Sequence, residues 1–363
     1  MKNRLQFVRF GLGMVLTGVL VVTQVFAAAT PPPLWPGRQP DGSMLLPNQW
    51  SLRPAGFSVE LGDFPVHIAV SPDGRYAAVL HCGYGPHEVV VVNLAEMKVV
   101  ARTNFAEAFY GLTFSRDGRK LYCSGASQEV IRTFDFNKGK LTPARNFHLR
   151  PVDELGVPAG VAVDSRSGLL YAANLWNDRI SCLNLKTKNV EDIPLATNAP
   201  ALLSEPETPA PDFDTAAATK RKRAILEAAK LTSQGLFPYA CLVDSKRDRL
   251  YVSLWGAAAV AVVDLKSHQV ISRWAVGEHP CEMVLSRDGK SLFVANANDN
   301  TVTVLDPETG RARETLWATL FPNSPRGATP NSVALLPDGK MLFVANANIN
   351  AVAVFDVTEP GRG

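Results

Sequence analysis

Alternating apolar and polar residues, rich in β-branched side chains, form short runs along the chain from residue 57 onward. A period of two places successive side chains on opposite faces of a strand, so these runs predict β-strands. Asp-Gly pairs stand between several runs, as at Asp73–Gly74 and Asp338–Gly339. Such pairs favour tight hairpin turns because both residues tolerate positive φ. The pattern predicts an all-β chain built from hairpins.

One sequence unit recurs six times. Each copy opens on a run of the Pro-x-x-Val-Ala type, continues with an apolar run such as Leu292–Asn298 and adds an alternating run such as Thr301–Leu305. The copies begin at Pro65, Phe109, Pro158, Pro238, Pro280 and Pro330. Sheets of short strands bury both faces only when they stack around an axis. We therefore predict a β-propeller with six recognisable four-stranded repeats.

Closure of the ring has two alternatives. The last repeat stops after its third strand near Asp356, and Phe57–Gly62 has the pattern of a strand that precedes the first copy. In the first alternative, this N-terminal strand completes the last sheet and closes six blades. In the second, the native product continues, and the chain is a seven-bladed propeller that lacks its last blade.

Two segments differ in composition from the repeats. Residues 195–235 form an insertion that is first rich in proline and acid and then helix-like over Thr215–Leu231. Residues 1–27 have a basic start, an apolar run and a small-residue cleavage pattern, which are the features of a signal peptide. Residues 28–56 read as an extended segment and residues 57–363 as the propeller. We expect a periplasmic or secreted protein with no membrane span after cleavage.

Charge and cysteine content exclude several classes of function. Lys and Arg number 37 against 34 Asp and Glu, a net charge of +3, which argues against a nucleic-acid partner. The 5 cysteines form no C-x-x-C, so zinc-ribbon, thioredoxin-like and c-type haem motifs are absent, and no cofactor is predicted. We expect the cysteines to be small buried side chains. The alternative is that two of them form a disulfide.

The mouth of the central channel is the expected site, because the first strands and their lead-in loops converge there. The candidate ligand-binding residues are His67, Tyr110, Tyr239, Glu282 and Asn331 on the first strands, with His279 and Arg326 on the lead-in loops. A carboxylate, two imidazoles and a guanidinium from different blades form a polar site. The alternative is that they bond to one another and to channel water. No catalytic residue is assigned.

Three other groups of residues have structural interpretations. His81, Cys82 and His87 have metal-like spacing but fall where a loop is expected, so no metal site is predicted. The asparagines of Asn296–Asn300 and Asn346–Asn350 are interpreted as turn residues rather than calcium ligands. Trp176 and Trp255 occupy equivalent positions and are assigned to packing between blades rather than to a platform for a sugar.

The repeat resembles the YVTN-type, YncE-like β-propeller family. Phe293–Asn296, Phe343–Asn346 and Tyr171–Asn174 stand where that family has Tyr-Val-Thr-Asn, and Gly-x-x-Pro precedes several copies. The layout, including Pro40–Trp50, also resembles the N-terminal half of bacterial proteins that pair such a propeller with an alkaline-phosphatase-family phosphoesterase domain. No counterpart of that second domain is present in this sequence.

These resemblances imply a non-catalytic scaffold that binds a protein or a small ligand, with a phosphoesterase domain as a candidate partner. The alternative is a lactonase that hydrolyses small cyclic esters at the channel mouth. That activity requires Glu282, His279, His67 or Arg326 to activate water or to stabilise an oxyanion.

Overall fold

The chain folds as an all-β protein in which a small N-terminal unit, residues 1–55, precedes a large unit, residues 56–363. The computed structural model describes residues 34–53, 56–196, 201–202, 235–321 and 324–359. Within those ranges the only helical elements are four 3-10 turns, Ala126–Gln128, Val152–Glu154, Trp255–Ala257 and Ala347–Ile349. None of these turns is long and apolar enough to cross a membrane.

Seven sheets contain the described strands, one in the small unit and six in the large unit. The small unit has one antiparallel sheet of β1 (Gly37–Arg38), β2 (Met44–Leu45) and β3 (Ser51–Leu52). The large unit has six sheets, which we number blades 1 to 6. Blade 1 contains β4 (Pro65–Val70), β5 (Tyr76–His81), β6 (His87–Asn93) and β7 (Lys98–Phe105). Blade 2 contains β8 (Leu112–Phe114), β9 (Lys120–Ser124), β10 (Val130–Asn137), β11 (Lys140–Pro143) and β12 (Phe147–His148).

The remaining blades repeat the antiparallel order. Blade 3 contains β13 (Pro158–Asp164), β14 (Leu169–Asn174), β15 (Arg179–Asn184) and β16 (Val190–Pro194). Blade 4 contains β17 (Ala201–Leu202), β18 (Pro238–Asp244), β19 (Arg249–Leu254), β20 (Ala259–Asp264) and β21 (Gln269–Ala275). The short strand β17 pairs in parallel with the outer strand β21. Blade 5 contains β22 (Pro280–Leu285), β23 (Leu292–Asn296), β24 (Thr301–Leu305) and β25 (Ala312–Trp317). Blade 6 has three strands, β26 (Pro330–Leu335), β27 (Met341–Asn346) and β28 (Ala351–Asp356).

The hairpin between the first two strands depends on a Ser-x-Asp-Gly turn. In blade 1, Ser71 Oγ donates to Asp73 Oδ1 at 2.6 Å, and the amide of Arg75 donates to the same oxygen at 3.1 Å. Gly74 follows at φ 70°, where a side chain is disfavoured. The bonds from Ser71 and Arg75 stabilise the carboxylate and lower the pKa of Asp73 to about 2. This confirms that the Asp-Gly pair forms a hairpin turn.

Each blade buries its faces against the next one. Leu80 of blade 1 and Leu121 of blade 2 lie in one cluster, and Tyr171 of blade 3 and Leu250 of blade 4 in another. Similar clusters join blades 2 and 3, 4 and 5, and 5 and 6. The hydrophobic core is therefore a series of layers between sheets, as the repeat predicts.

Glycine allows the first strands to approach closely around the channel. A Cβ on Gly111 would stand 2.0 Å from the carbonyl oxygen of Ala159, and a Cβ on Gly160 would stand 2.5 Å from the carbonyl oxygen of Tyr239. Both obstacles are backbone atoms and cannot rotate away. The spacing between blades 2 and 3, and between blades 3 and 4, therefore depends on these two glycines.

Replacing Gly160 by alanine is expected to lower the free energy of unfolding by about 1–3 kcal/mol, because the methyl group forces the strands apart. The matched control is Gly85→Ala, whose Cβ would meet nothing closer than 3.8 Å. Urea unfolding followed by tryptophan fluorescence measures both variants. Equal stability of the two variants would contradict the close packing described for Gly160.

The N-terminal strand does not close a ring of six blades, so that alternative is wrong. Phe57–Gly62 is in no strand, Phe57 is 87% exposed, and β28 pairs only with β27 among the described strands. The segment ends against blade 1 instead. The amide of Gly62 donates to His81 Nε2 at 3.3 Å, and a Cβ on this glycine would stand 2.7 Å from Glu88 Oε1. The end of the segment therefore lies at blade 1, and no described strand pairs with the outer edge of β28.

Two other expectations concern the insertion and the cysteines. The predicted helix Thr215–Leu231 and the predicted signal peptide lie outside the described residues, and the described part contains no α-helix. All five cysteines are free; Cys123, Cys182 and Cys281 are buried, and the other two are partly buried. Burial raises the pKa of Cys241 and of Cys281 to about 12. This fits the prediction of small buried side chains.

Candidate functional site

The first strands of the six blades lie side by side around the channel. Contacts run from β4 to β8, then to β13, β18, β22 and β26. In five of these strands the pairing register shifts just after the opening proline, which marks a β-bulge. A bulge redirects the side chain that it carries. His67, Tyr239 and Glu282 all lie at such bulges, which explains why a residue at this point of the repeat reaches the channel.

The residue before each of these prolines has a left-handed backbone. The φ angles of Phe64, Val157, Phe237, His279 and Thr329 lie between 47° and 57°. Each carbonyl accepts the amide of the residue after the second strand, as when His279 O accepts from Ala297 N at 3.0 Å. A non-glycine residue holds this conformation only where its surroundings compensate. These bonds therefore hold the lead-in loops in place above the channel.

Glu282 is at the centre of a small polar cluster. Its Oε1 lies 4.0 Å from His67 Nε2, and its Oε2 accepts a hydrogen bond from Ser332 Oγ. The His67 side chain is 17% exposed and that of Glu282 22% exposed. The three side chains come from blades 1, 5 and 6. A water molecule can contact both the imidazole and the carboxylate across the 4.0 Å separation.

Two tyrosines extend the cluster. The Tyr110 ring contacts His67 edge-on with centroids 4.9 Å apart, and it lies 4.3 Å from the ring of Tyr239. Tyr110 is buried, and its hydroxyl has no hydrogen-bond partner among the described residues. An unpaired buried hydroxyl is costly, so it is ready to bond to any polar group that reaches it.

Burial sets the protonation of these groups. It lowers the pKa of His67 below its ordinary 6.5, with the Glu282 carboxylate opposing the shift. It raises the pKa of Tyr110 well above 10.0, and the Glu282 charge adds to the effect. At neutral pH the imidazole is therefore neutral and the phenol keeps its proton. The site combines a neutral ring nitrogen, a carboxylate that accepts and a hydroxyl that donates.

His279 and Arg326 belong to a separate group on the lead-in loops. The His279 ring stacks on Trp255 at 3.7 Å, and burial lowers its pKa. Arg326 pairs with Glu278 at 3.0 Å and with Asp299 at 2.8 Å. These side chains interact with one another and not with the Glu282 cluster. Six of the seven predicted residues therefore divide into a channel group, His67, Tyr110, Tyr239 and Glu282, and a loop group, His279 and Arg326.

On β26 the contact with Glu282 comes from a residue that the sequence analysis did not name. Asn331, which was predicted to face the channel, is exposed. Its neighbour Ser332 makes the bond to Glu282. The register of β26 shifts between Pro330 and Ser332, so the bulge moves the inward position by one residue. Ser332 and His67 are each the third residue of their strands, β26 and β4. Comparing the two strands at this position could have identified Ser332 from the sequence.

The residues with metal-like spacing lie around a loop, as predicted. His81 ends β5, His87 begins β6, and both rings accept backbone amides, from Gly62 and Ala108 respectively. Across the described ranges, no group of three or more His, Cys, Asp or Glu side chains has an arrangement that would hold a metal ion.

The asparagine runs stabilise turns. Asn300 Oδ1 accepts the amides of Gly327 and Ala328 at 3.0 and 2.8 Å, and Asn296 Nδ2 donates to Thr303 Oγ1 at 2.8 Å. Trp176 is 60% exposed, so the expected packing between blades is wrong for this residue. Trp255 packs against His279 and, edge-on, against Phe237. The two tryptophans therefore differ in role despite their equivalent positions.

Comparison with known proteins supports the propeller fold, and part of the chain matches one family. Residues 68–203 match the family described as SMP-30/Gluconolactonase/LRE-like region. No curated protein matches the chain. The YncE-like assignment and the pairing with a phosphoesterase gain no support from these matches.

Solved structures of the same fold cover most of the chain at low identity. Hydrazine synthase of Kuenenia stuttgartiensis has a TM-score of 0.59 and 15% identity, covering 84% of this chain and 80% of that one. The periplasmic gluconolactonase of Pseudomonas aeruginosa has a TM-score of 0.59 and 17% identity, covering 82% of each chain. A putative 6-phosphogluconolactonase from Bacteroides uniformis has 0.58 and 14%, covering 83% and 84%. The chain is an all-β propeller in which residues 68–203 are similar to the SMP-30/gluconolactonase/LRE-like family.

Proposed function

We propose that this protein hydrolyses a small lactone at the mouth of its channel. The observation that carries the proposal is the cluster in which Glu282 lies within reach of both His67 and Ser332. The match of residues 68–203 to a family that includes gluconolactonase supports it. A non-catalytic scaffold, which the sequence alone favoured, has no comparable support.

The reaction needs a base that removes a proton from water. The Glu282 carboxylate accepts that proton while the water oxygen attacks the carbonyl carbon of the lactone. The neutral His67 imidazole, 4.0 Å from the carboxylate, orients the same water. Ser332 donates to the other carboxylate oxygen and fixes its position. The ring C–O bond then breaks, the proton passes to the leaving alkoxide, and a hydroxy acid leaves.

The tetrahedral intermediate carries a negative oxygen that requires a donor. The Tyr110 hydroxyl retains its proton because burial raises its pKa, and the described residues leave it unpaired. Its ring lies against that of His67, the residue proposed to orient the water. A neutral hydroxyl with no competing partner is suited to an oxyanion.

The direct test is a pH-stat assay of the purified protein with glucono-δ-lactone and δ-valerolactone. Saturable acid release above the spontaneous rate supports the proposal. The first substrate carries ring hydroxyls and the second does not, so their kcat/KM ratio shows whether the site selects sugar lactones. Rates equal to buffer alone for both compounds would overturn the proposal.

Activity is expected to fall at acidic pH because His67 gains a proton. Protonated His67 pairs with Glu282 and removes the base, so kcat/KM declines by about tenfold per pH unit below the His67 pKa. That pKa lies below 6.5, so the decline begins there and not at neutral pH. The His67→Gln variant keeps a polar side chain that does not titrate. Its kcat/KM is expected to lack the decline that protonation of His67 causes.

Stability provides the control for this pH profile. The folded pKa of His67 lies below the unfolded value, so the unfolded chain binds more protons. The stability that this residue contributes is present above pH 6.5 and is lost as the pH falls through the folded pKa. Circular dichroism at each pH shows where the protein is still folded. An unchanged acid decline in folded His67→Gln would contradict the role of His67.

A further inference from the structure

Blade 2 has a cavity that the channel mechanism does not use. Its volume is about 530 Å³, and its polar lining includes Glu107, Gln128, Arg132, Asn146 and His148. Glu107 precedes β8, Gln128 lies in a 3-10 turn, and Arg132 is on β10. The cavity thus lies at the loops of blade 2 and is open to solvent through the exposed Asn146 and His148.

Arg132 is a buried charge with only neutral acceptors. The residue is 9% exposed; its Nε donates to the backbone oxygen of Glu107 at 3.2 Å, and Nη2 donates to the side-chain oxygen of Gln128. Its guanidinium also lies over the Phe105 ring, 5.3 Å from the centroid. No described carboxylate lies within ion-pair distance of it. Buried charges in proteins are usually paired, so a counter-ion is missing here.

Arg150, in the same part of the molecule, shows the usual arrangement. Its side chain is 3% exposed and pairs with Glu129 at 3.3 Å and with Asp192 at 3.0 Å. It also donates to Ser181 Oγ at 2.5 Å. The protein therefore supplies carboxylates where a buried guanidinium has a purely structural role. It supplies none to Arg132.

The repeat does not require arginine at this position. Strand register aligns Arg132 with one residue in each other blade, namely Val90, Ser181, Ala261, Thr303 and Ala353. All five are small or apolar. The arginine is thus a feature of blade 2 alone, and it occurs in the blade that has the cavity.

We propose that this cavity binds a small hydroxylated carboxylate of the sugar-acid class. The carboxylate of the ligand pairs with the free edge of the Arg132 guanidinium, whose planar fork matches two carboxylate oxygens. Hydroxyl groups of the ligand donate to the Glu107 carboxylate, which Ser127 Oγ holds at 2.5 Å. The amides of Gln128 and Asn146 complete the polar wall. Binding at this site is independent of the channel and of the lactone reaction.

Charge selects a carboxylate over a phosphate. Arg132 is the permanent cation of the lining, and Glu107 is an anion in the same cavity. A monoanion is balanced by one guanidinium, whereas a phosphate near neutral pH carries more negative charge and is repelled by Glu107. The hydroxyls supply the donors that a bare anion lacks.

Isothermal titration calorimetry with D-gluconate tests the proposal on the whole chain. We expect one saturable site, with D-glucitol and inorganic phosphate each binding at least about tenfold more weakly, a difference of about 1.4 kcal/mol. Arg132→Gln, which keeps a polar side chain, is expected to weaken gluconate at least about tenfold. Arg116→Gln is the matched control and retains wild-type affinity, because Arg116 is an exposed arginine of the same blade that does not line the cavity.

Three results would overturn the proposal. They are gluconate affinity unchanged in folded Arg132→Gln, phosphate or glucitol binding as tightly as gluconate to the wild type, and loss of gluconate binding in Arg116→Gln. If Arg132→Gln does not fold, the affinities of the wild type for gluconate, glucitol and phosphate are sufficient to support or overturn the proposal. None of these measurements uses hydrolysis, so failure here is distinct from failure of the lactonase proposal.

Discussion

Replacing Glu282 by glutamine is expected to lower kcat/KM for lactone hydrolysis by at least about a hundredfold, the usual contribution of a positioned general base. Glutamine keeps the size of the side chain and accepts the bond from Ser332, but its amide takes no proton from water. KM is expected to change little, because the carboxylate acts on water and not on the lactone. The measurement is the pH-stat assay at saturating and limiting substrate.

Glu278→Gln is the matched control for that variant. Glu278 is the acidic residue of the loop group, where it accepts bonds from Arg326 at 3.0 Å and Asn298 at 2.7 Å. It lies four positions before Glu282 in the chain but has no part in the channel cluster. Its substitution is expected to change kcat/KM by less than about threefold, since surface ion pairs contribute little. Comparable losses in both variants, or none in Glu282→Gln, would contradict the assignment of the base.

Much of the fold can be predicted from the sequence because each repeat encodes its own hairpins. The bonds from Ser71 Oγ to Asp73 and the positive φ of Gly74 are local, and similar turns recur with Asp117 and Asp288. Closure of the ring cannot be predicted in this way, because it depends on contacts between distant parts of the chain. The alternating pattern of Phe57–Gly62 does not specify which sheet edge this segment meets.

The strands of the candidate site and two of its central residues could be predicted from the sequence, but a third residue could not. His67 and Glu282 were named from their place in the repeat, and the structure brings them within 4.0 Å. Ser332 was missed because a bulge shifts the inward position of β26 by one residue. Period-two reasoning assumes a constant register, and a bulge breaks that assumption. Arg326 lies on its predicted lead-in loop, but its pairing with Asp299 of a neighbouring loop depends on tertiary structure that the repeat pattern does not encode.

Removing the Arg150 side chain is expected to produce the largest loss of stability, about 3–5 kcal/mol at neutral pH, as when one partner of a buried ion pair is deleted. Glu129 is fully buried, and in Arg150→Ala it loses the guanidinium 3.3 Å away. Its remaining described partners are the backbone amides of Val157, at 2.7 Å, and Gly156. Burial already raises the pKa of Glu129 while Arg150 lowers it, so the substitution raises that pKa further. Urea unfolding of the wild type and the variant at pH 7 measures the loss.

Two further variants separate the buried charge from lost packing. Arg166→Ala breaks the Asp248 pair at 2.6 Å, but this side chain is 46% exposed, so we expect a loss below about 1 kcal/mol. Adding Glu129→Gln to Arg150→Ala removes the unpaired carboxylate and is expected to restore part of the stability. Protonation does the same, so the cost of Arg150→Ala is expected to shrink as the pH falls toward the raised pKa of Glu129. A cost that is independent of pH and unchanged by Glu129→Gln would mean that Arg150 stabilises the fold through packing alone, and that buried charge has little effect between blades 2 and 3.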